Sequence, residues 1–480
     1  MRVFPFNEAG FNSALATASA EPNCNTKRNG RLGYIYNYLV SPAVKCKTIV
    51  VEENYTDGDF LHDYVNYYAR CFGEVKRTCA RLHFFGFDFT EVEFRDCIIA
   101  EEMKEGEGEF IKALKDEYLG YVVIKPLPDA MVGRTCLYLY SKDGRSRFFG
   151  ATHLYETHVA GIEFQIESLA FQEQDAVVAA CATISLWSAF HQISNLFGTK
   201  IPAPSEITDA ASKSSLTLKR KMPSQGLNSF QVCSAIKNEG LEFELRQPRD
   251  AENRADTLLL RRYVAAYLGC KLPVILLIKF TDNKGHAITV AGYSRGEVPL
   301  ETPHDIPLKA DYIDKFYGHD DQIGPFAKME FSTPGCLDTT WDPREVGGSS
   351  EVIPWYVIIP VYHKIRIRYE NVFGFVETLT DAIRDIGLWK EEYEWDIQLR
   401  RQIDYKKDIK KSVLFSASEK FKTLTENYPR FVWITSLFSG EVKLLDIVWD
   451  ATGFNTADSS SLIVHALSFN PEGNNIVQSL

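Results

Sequence analysis

The chain has 480 residues, of which 45% are hydrophobic and 24% are charged, and its formal net charge is −11. A chain of this length exceeds the size at which one hydrophobic core stops growing, so we expect two or three domains of ordinary globular composition. The acidic balance argues against non-specific nucleic-acid binding as the main activity.

The ten cysteines are scattered along the chain, which favours thiols in a reducing cytosol over a disulfide framework. The N-terminal stretch MRVFPFNEAGFNSALATASA has no uninterrupted apolar segment, so we expect no signal peptide. No run approaches about 18 apolar residues, so we expect no transmembrane helix. These features predict a cytoplasmic protein without membrane or nucleic-acid partners.

The first predicted unit is an α/β region in residues 1–150. KTIVVEE, RLHFFGFDF and YLGYVVIKP are typical of strands. Between the first two, DGDFLHDYVNYYARCFG predicts a helix that ends at a glycine. The side chains expected on its buried face are Phe60, Val65, Tyr68 and Phe72.

A second unit is predicted over residues 160–340. GIEFQIESLAF indicates a strand, and the next stretch predicts a helix that ends at Gly198 with Ile184, Trp187, Phe190 and Ile193 on one face. Residues 203–228 are expected to form an exposed loop. Two units of helix, glycine and strand follow, GLNSFQVCSAIKNEGLEFEL and LLLRRYVAAYLGCKLPVILLIKF, and then the strand HAITVAGY.

The stretch DPREVGGSS predicts a boundary near 342–350, followed by a C-terminal α/β region in residues 351–480. That region is predicted to contain strands in WYVIIPVYHKIRIR, RFVWITSLF and EVKLLDIVW and a helix in VETLTDAIRDIGLW. The basic segment QLRRQIDYKKDIKKS is interpreted as a solvated helix face.

Cys181 lies near the start of the helix that ends at Gly198. The partial positive charge of a helix N-terminus favours a thiolate, which is the nucleophilic form of cysteine. Gln174 lies just upstream, where its amide could donate a hydrogen bond to an oxyanion together with the backbone N–H of Cys181. Gln172 is a second candidate for this role.

His286 opens the strand HAITVAGY, where the helix and the strand can pack face to face and bring the imidazole to the thiol. An acidic residue is then expected to hold the imidazole in the required tautomer. Asp320 is the first candidate and Asp321 the alternative, both in FYGHDDQIGPF. Other acids between the two segments stay open as candidates, namely Asp305, Asp311 and Asp314.

This ordered set resembles the papain-like cysteine peptidases, and most closely their bacteriocin-processing, C39-like branch. The matching stretches are QDAVVAACATISLW, GLNSFQVCSAIKNEGLEFEL, GCKLPVILLI, GHAITVAGY and HDD, within about residues 165–335. The resemblance implies an α+β fold in which a helix bearing Cys181 packs on an antiparallel sheet bearing His286, with α/β flanking regions. It also implies a catalytic triad of Cys181, His286 and Asp320, with Gln174 at the oxyanion and a preference for small residues such as glycine at the cleaved bond.

Three features depart from the usual pattern of that family. The separation between Gln174 and Cys181 is one position longer than usual, and Ala182 follows the nucleophile where glycine is common. The long interval between His286 and Asp320 implies an inserted loop, YSRGEVPLETPHDIPLKADY, which is expected to cover or shape the active site.

A Cys-His-Asp set carries out acyl transfer, and its simplest form is hydrolysis of a peptide or isopeptide bond through a thioester. No cofactor and no metal ion is expected, and the expected substrate is a protein or peptide. Two alternatives stay open: transglutaminase, acyltransferase or amidase chemistry on the same residues, and a catalytically inactive papain-like binding module. The flanking regions are further predicted to restrain the active site until a regulatory protein partner or ligand arrives.

Overall fold

The computed structural model shows an α+β protein in which every pair of neighbouring strands is antiparallel. This agrees with the expected fold class at the level of secondary structure. No helix in the described part of the chain is both long and apolar enough to cross a membrane. The structure describes residues 1–479 except 20–24, 28, 102–107, 141–146, 176, 179, 214–225, 281–283, 300–305, 332–334, 340–351 and 455–459.

A five-stranded sheet in the order β1-β2-β3-β4-β5 occupies the N-terminal region. All residues of β3 and β4 are buried, because α1 covers one face and the hairpin β7–β8 packs on the other. The strands are β1 (Arg2–Pro5), β2 (Thr48–Tyr55), β3 (Cys79–Phe85), β4 (Tyr118–Ile124), β5 (Val132–Leu137), β7 (His153–Val159) and β8 (Ile162–Ser168). The helices are α1 (Glu8–Ala18), α2 (Gly30–Val40), α3 (Gly58–Asn66), α4 (Glu91–Glu101) and α5 (Glu109–Asp116).

An eight-stranded sheet forms the centre of the molecule in the order β14-β13-β12-β11-β10-β15-β9, with β6 also paired to β11. Its strands are β6 (Arg147–Phe149), β9 (Glu242–Arg246), β10 (Val274–Lys279), β11 (Gly285–Arg295), β12 (Ile313–Asp320), β13 (Gly324–Phe331), β14 (Leu337–Thr339) and β15 (Ile353–Val361). Its helices are α6 (Cys181–Phe197), α7 (Pro204–Ser212), α8 (Ser229–Asn238) and α9 (Thr257–Leu268). The sheet therefore includes strands that precede and follow the predicted 160–340 unit, and the predicted domain boundaries stay a prediction.

A four-stranded sheet in the order β16-β17-β18-β19 forms the C-terminal region. It shares one apolar core with the central sheet, where for example the rings of Tyr267 and Trp433 lie 5.5 Å apart. The strands are β16 (Tyr393–Arg401), β17 (Phe431–Ser439), β18 (Val442–Asp450) and β19 (Ile463–Ser468). The helices are α10 (Tyr369–Asp385), α11 (Gln402–Lys411), α12 (Ala417–Thr425) and α13 (Pro471–Ser479).

Helix α6 is buried along most of its length and packs on β10, β11 and β12. The predicted face is confirmed, since Ile184, Trp187, Phe190 and Ile193 are all buried. Gly198 ends the helix in the left-handed conformation with φ of 74°, which glycine adopts without a steric penalty. The buried face of α6 thus fixes the position of its N-terminus against the sheet.

The predicted strands at β2, β3, β4, β8, β10, β11, β17 and β18 are confirmed, as are the helix–glycine–strand units around Gly240 and Gly269. Three local predictions are wrong. Val65 and Phe72 are exposed rather than buried: Val65 lies on the exposed face of α3, and Phe72 lies beyond Asn66, where α3 ends. Residues Pro204–Ser212 form a mostly buried helix rather than a loop, and residues Tyr362–Arg368 lie beyond the end of β15. The predicted boundary at 342–350 lies outside the described residues.

A buried side-chain hydrogen bond joins the helix α6 to the strand β11. Thr289 Oγ1 donates to the carbonyl oxygen of Ser185 at 2.8 Å, and Thr289 is completely buried. A buried hydrogen bond of this kind contributes about 1 kcal/mol. It therefore helps to fix the relative positions of the two elements that carry Cys181 and His286.

We expect Thr289→Val to weaken this junction, because valine has the same shape but cannot donate the hydrogen bond. The opening free energy of β11 and α6 should fall by about 1 kcal/mol, which is about a fivefold faster amide exchange in their peptides. Hydrogen exchange read by mass spectrometry measures this directly. Thr425→Val is the matched control, since that exposed threonine bonds only within α12, and equal acceleration in both variants would contradict the assignment.

Candidate active site

Cys181 is the first residue of α6, and Ala180 precedes it as the N-cap. Alanine has no side-chain oxygen to accept the first backbone N–H groups, and the first turn contains no acidic residue. The positive end of a 17-residue helix is therefore directed at the thiol without a competing side-chain acceptor. The Cys181 side chain is partly exposed, so a substrate or an alkylating reagent can reach it.

His286 is the second residue of β11, where it lies opposite Ile278 of β10. Its side chain is almost completely buried. The packing of α6 on β11 brings the two predicted residues together, and the side chain of Cys181 is hydrogen-bonded to the imidazole. The structure thus brings together the two residues that were predicted, from separate segments, to act as nucleophile and base.

Asp320 ends β12 and faces the other side of the imidazole. His286 Nε2 donates to Asp320 Oδ1 at 2.9 Å, while Asp321 Oδ1 lies farther away at 3.6 Å. Asp320 Oδ1 also accepts the backbone N–H of Gln322 at 3.0 Å, a local turn contact that aspartate forms readily. The turn therefore holds the Asp320 carboxylate in place before any substrate is present.

The charges of this cluster determine the protonation of His286. Burial lowers the pKa of His286, but the charge of Asp320, its hydrogen bond, the hydrogen bond with Cys181 and the charge of Asp321 together raise it well above 6.5. Burial raises the pKa of Asp321, the charge of His286 lowers it and that of Asp320 raises it, and the net result is a pKa of about 7. The site therefore favours an imidazolium at neutral pH.

The N-terminal region contributes side chains to the turn that carries the acids. Arg31 of α2 donates from Nε to the carbonyl oxygen of Asp321 at 3.0 Å, and its Nη1 lies 2.8 Å from Oε1 of the buried Glu173. One turn later, the Tyr34 hydroxyl donates to the carbonyl oxygen of Pro325 at 3.2 Å. Sequence reasoning missed these residues, because residues 1 to about 45 show little periodic pattern and no helix was predicted there, and because a single sequence carries no signal for so distant a partner.

His319 is a second buried histidine next to Asp320, and its role differs from that of His286. Its Nε2 faces the carbonyl oxygen of Leu169 at 2.9 Å, and its Nδ1 accepts the backbone N–H of Phe326 at 3.1 Å. Burial lowers the pKa of His319 to about 4. A neutral ring with one donor and one acceptor satisfies both contacts, so His319 is a structural link between β12, β13 and the segment before α6.

The two glutamines predicted near the oxyanion have different environments. Gln174 is partly exposed, whereas Gln172 is buried and its Nε2 has no hydrogen-bond partner among the described residues. The neighbouring Phe171 packs against His319, with ring centroids 5.5 Å apart. A buried amide N–H without a partner is costly, so Gln172 is the stronger candidate for a group that awaits a ligand.

The other acids considered from the sequence lie elsewhere. Asp311 forms a buried ion pair with Arg262 at 2.7 Å, and Asp314 accepts a hydrogen bond from Ser294 at 2.6 Å. Asp305 lies outside the described residues, as does part of the predicted inserted loop. The aspartates that the structure brings to His286 are therefore Asp320 and Asp321.

The remaining thiols differ from Cys181. All nine described cysteines are free thiols. Burial raises the pKa of several of them to about 12 or higher, which makes them poor nucleophiles near neutral pH; these are Cys46, Cys79, Cys136, Cys233 and Cys270. Among the described cysteines, Cys181 is the one that is hydrogen-bonded to an imidazolium at a helix N-terminus.

A cation is the other chemical possibility for this cluster, since ligand atoms of His286, Asp320 and Asp321 lie within 4.8 Å of one another. In the structure, however, the imidazole lies between a thiol and a carboxylate and is hydrogen-bonded to both. A histidine that binds a metal ion presents one ring nitrogen to the ion as a lone pair. The arrangement therefore fits proton exchange between the thiol and an imidazole supported by a carboxylate better than it fits a set of metal ligands.

The chain matches no model of a known protein family, and no curated protein is significantly similar to it in sequence. The interpretation of the site therefore depends on the geometry of Cys181, His286 and Asp320 and on their chemical environment.

The two acids can be separated by a pair of isosteric variants. We expect Asp320→Asn to slow alkylation of Cys181 at pH 6 by about tenfold or more, because the nearer charge that supports the imidazolium is lost. Asp321→Asn should slow it by less than about threefold, because its carboxylate does not bond the ring directly. Labelling rates read by peptide mass spectrometry measure both, and the reverse order would assign the supporting role to Asp321.

Proposed function

We propose that the protein is a cysteine peptidase with a papain-like catalytic region that hydrolyses peptide or isopeptide bonds. Cys181 is the nucleophile, His286 the general acid and base, and Asp320 the residue that orients the imidazole. The observation that carries the proposal is the convergence of these three side chains from α6, β11 and β12. If these three side chains were buried only for packing, nothing would require a thiol, an imidazole and a carboxylate to lie next to one another in this order.

The environment of each residue matches its proposed step. The helix N-terminus and the imidazolium stabilise a thiolate on Cys181, which attacks the carbonyl carbon of the substrate. The His286 imidazolium then gives its proton to the leaving amine, the C–N bond breaks, and a thioester remains on Sγ. A water molecule next transfers a proton to His286 and attacks the thioester, so the C–S bond breaks and the carboxylic acid leaves.

Asp320 acts by orientation and charge. Its carboxylate accepts a hydrogen bond from Nε2 of His286, which leaves Nδ1 as the ring nitrogen for exchange with the thiol and the substrate. The carboxylate also stabilises the imidazolium in the dry interior. Asp320 is therefore required for the correct tautomer rather than for the bond-breaking step itself.

The oxyanion of the tetrahedral intermediate requires hydrogen-bond donors. The backbone N–H of Cys181 is one donor, because the first N–H groups of a helix have no partner within the helix. We propose Gln172 as the second donor, because its Nε2 is buried and has no partner among the described residues. The sequence-based choice of Gln174 remains the alternative for this position.

The resemblance to the C39-like branch suggests substrates with small residues, such as glycine, at the cleaved bond. Peptide substrates are therefore the first class to test. An acyltransferase or transglutaminase with the same triad would join the acyl group to an amine instead of water. Product masses separate the two, since hydrolysis adds water to the substrate and isopeptide formation releases ammonia or an amine.

The thiolate–imidazolium pair makes a direct prediction for Cys181. We expect iodoacetamide to label Cys181 rapidly at pH 6, because the His286 imidazolium and the N-terminus of α6 both lie beside its sulfur and stabilise a negative charge there. His286→Ala should reduce the rate at pH 6 by about tenfold or more, since the stabilising cation is removed. Peptide mass spectrometry across pH 4 to 9 measures the rate at every cysteine.

Cys71 is the internal reference for this experiment, because it is exposed and its sulfur bonds only the backbone of its own helical turn. Its rate should be the same in the wild type and in His286→Ala. Labelling of Cys181 no faster than that of Cys71 at pH 6 would show that the pair is not assembled, and would favour the inactive binding module.

The oxyanion proposal is tested by a matched pair of glutamine variants. We expect Gln172→Ala to reduce kcat for a cleaved peptide by about a hundredfold, because one oxyanion donor is lost. It should leave alkylation of Cys181 unchanged, since alkylation forms no oxyanion. Gln174→Ala should reduce kcat by less than about threefold, and the opposite ranking would return the role to Gln174.

A further inference from the structure

A cavity of about 590 Å³ opens beside α2. Its volume is within the range of roughly 300–1,000 Å³ that is typical of small-molecule sites. Three tyrosines and two cations dominate its wall, and none of the described lining residues is acidic. These five residues are Tyr34, Tyr38, Tyr140, Arg147 and Lys328.

The tyrosine rings are held in place before any ligand binds. The Tyr38 hydroxyl donates to the carbonyl oxygen of Tyr138 at 2.7 Å, and the Tyr140 hydroxyl donates to that of Phe326 at 2.9 Å. Tyr38 and Tyr140 also pack edge to face, with centroids 5.2 Å apart. Because their polar ends are already bonded, these rings present preformed aromatic surfaces to the cavity.

The two cations, Arg147 and Lys328, give the wall of the cavity a positive charge. Arg147 donates from Nε to the Tyr317 hydroxyl at 3.1 Å, which holds its guanidinium 5.0 Å from the Tyr140 ring centroid. Lys328 is exposed at the rim and forms no ion pair within the part of the chain that the structure describes. Aromatic faces next to cations, with no carboxylate among the described lining residues, match a flat ring that carries an anionic group.

We propose that this tyrosine pocket binds a small aromatic phosphate of the nucleoside monophosphate type. The base would stack on the tyrosine rings, as bases do on aromatic side chains elsewhere. The phosphate would lie at Arg147 and Lys328, since phosphate oxygens accept strong hydrogen bonds from both types of cation.

The pocket is connected to the turn that carries Asp320. Tyr34 lies against Gly324, where a Cβ atom would meet the Tyr34 ring at 2.2 Å, so the side chain and the turn backbone are in tight contact. Tyr140 bonds Phe326, a bulky residue held at a φ of +53°. A non-glycine residue rarely adopts this conformation without support from its surroundings.

Phe326 also donates its N–H to His319, the neighbour of Asp320. An occupant that shifts Tyr34 or Tyr140 would thus shift the turn between β12 and β13, and with it the carboxylate that supports His286. We infer that ligand binding in the tyrosine pocket regulates the Cys181–His286 pair. This second step rests on the proposed function, whereas binding itself does not.

Isothermal titration of the full chain with AMP, GMP, CMP and UMP tests the binding step. At least one nucleotide should bind with a Kd below about 1 mM, and the matching nucleoside and ribose 5-phosphate should each bind about tenfold more weakly. Lys328→Glu should weaken the nucleotide by about tenfold, whereas Lys364→Glu, an exposed lysine of the C-terminal region, should leave the Kd unchanged. Absence of binding by all four nucleotides, a nucleoside that binds as tightly as its phosphate, or equal effects of the two charge reversals would overturn the proposal.

The coupling step is read from alkylation of Cys181 with and without the nucleotide that binds best. We expect at least a threefold change in rate, because the support of the imidazolium changes. In Tyr140→Phe, the ring stays and the hydrogen bond to Phe326 is lost, so the nucleotide should still bind while its effect on alkylation diminishes. Binding with no change in rate in the wild type would overturn the regulatory step alone. Slow labelling of Cys181 in every state would instead count against the proposed function.

Discussion

The burial of His286 between Cys181 and Asp320 is the constraint on which the site depends. An imidazolium in the interior is stable only where negative charge and hydrogen bonds replace the water that it has lost. Asp320 supplies both at 2.9 Å, and Asp321 adds charge from 3.6 Å. The arrangement also buries a second carboxylate, that of Asp321, whose oxygens have no hydrogen-bond partner in the described residues. Burial without such partners disfavours its charged form, and its pKa is accordingly raised.

The surroundings of the acid turn explain how so much charge is held in one place. Arg31 bonds the backbone of Asp321 and pairs with Glu173, so a cation from the N-terminal region lies behind the two aspartates. His319 stays neutral and connects the same turn to β13 and to the segment that leads into α6. Three separate stretches of chain therefore determine where the carboxylate of Asp320 lies. A change in any of these stretches would affect the environment of the His286 imidazole more directly than that of the Cys181 thiol.

Much of the secondary structure follows from local patterns, and the site follows from them only in part. The periodic spacing in α6 and the apolar run in HAITVAGY predicted the elements that carry Cys181 and His286, and their contact required only that a helix pack on a strand. The helix at Pro204–Ser212 was missed because Ser and Pro suggested a loop, although proline is well tolerated in the first turn of a helix and Ile207, Ala210 and Ala211 are buried. Arg31 could not be predicted, since its partner Asp321 lies 290 positions away and a single sequence carries no signal for such a contact.

The strand order also limits how the flanking regions can act. Strand β15 lies between β9 and β10 in the central sheet, although it follows the predicted catalytic unit in sequence. Removal of residues 351–480 would delete β15, so that β9 and β10 would each lose their pairing with it. It would also expose the apolar core that Tyr267 shares with Trp433. A truncated chain would therefore report on folding rather than on regulation. On the N-terminal side, Arg31 and Tyr34 contact the acid turn directly. The N-terminal flank is therefore part of the site and the C-terminal flank is part of the sheet that carries it, so any regulation through them must act by small shifts within an intact molecule rather than by release of a separable lid.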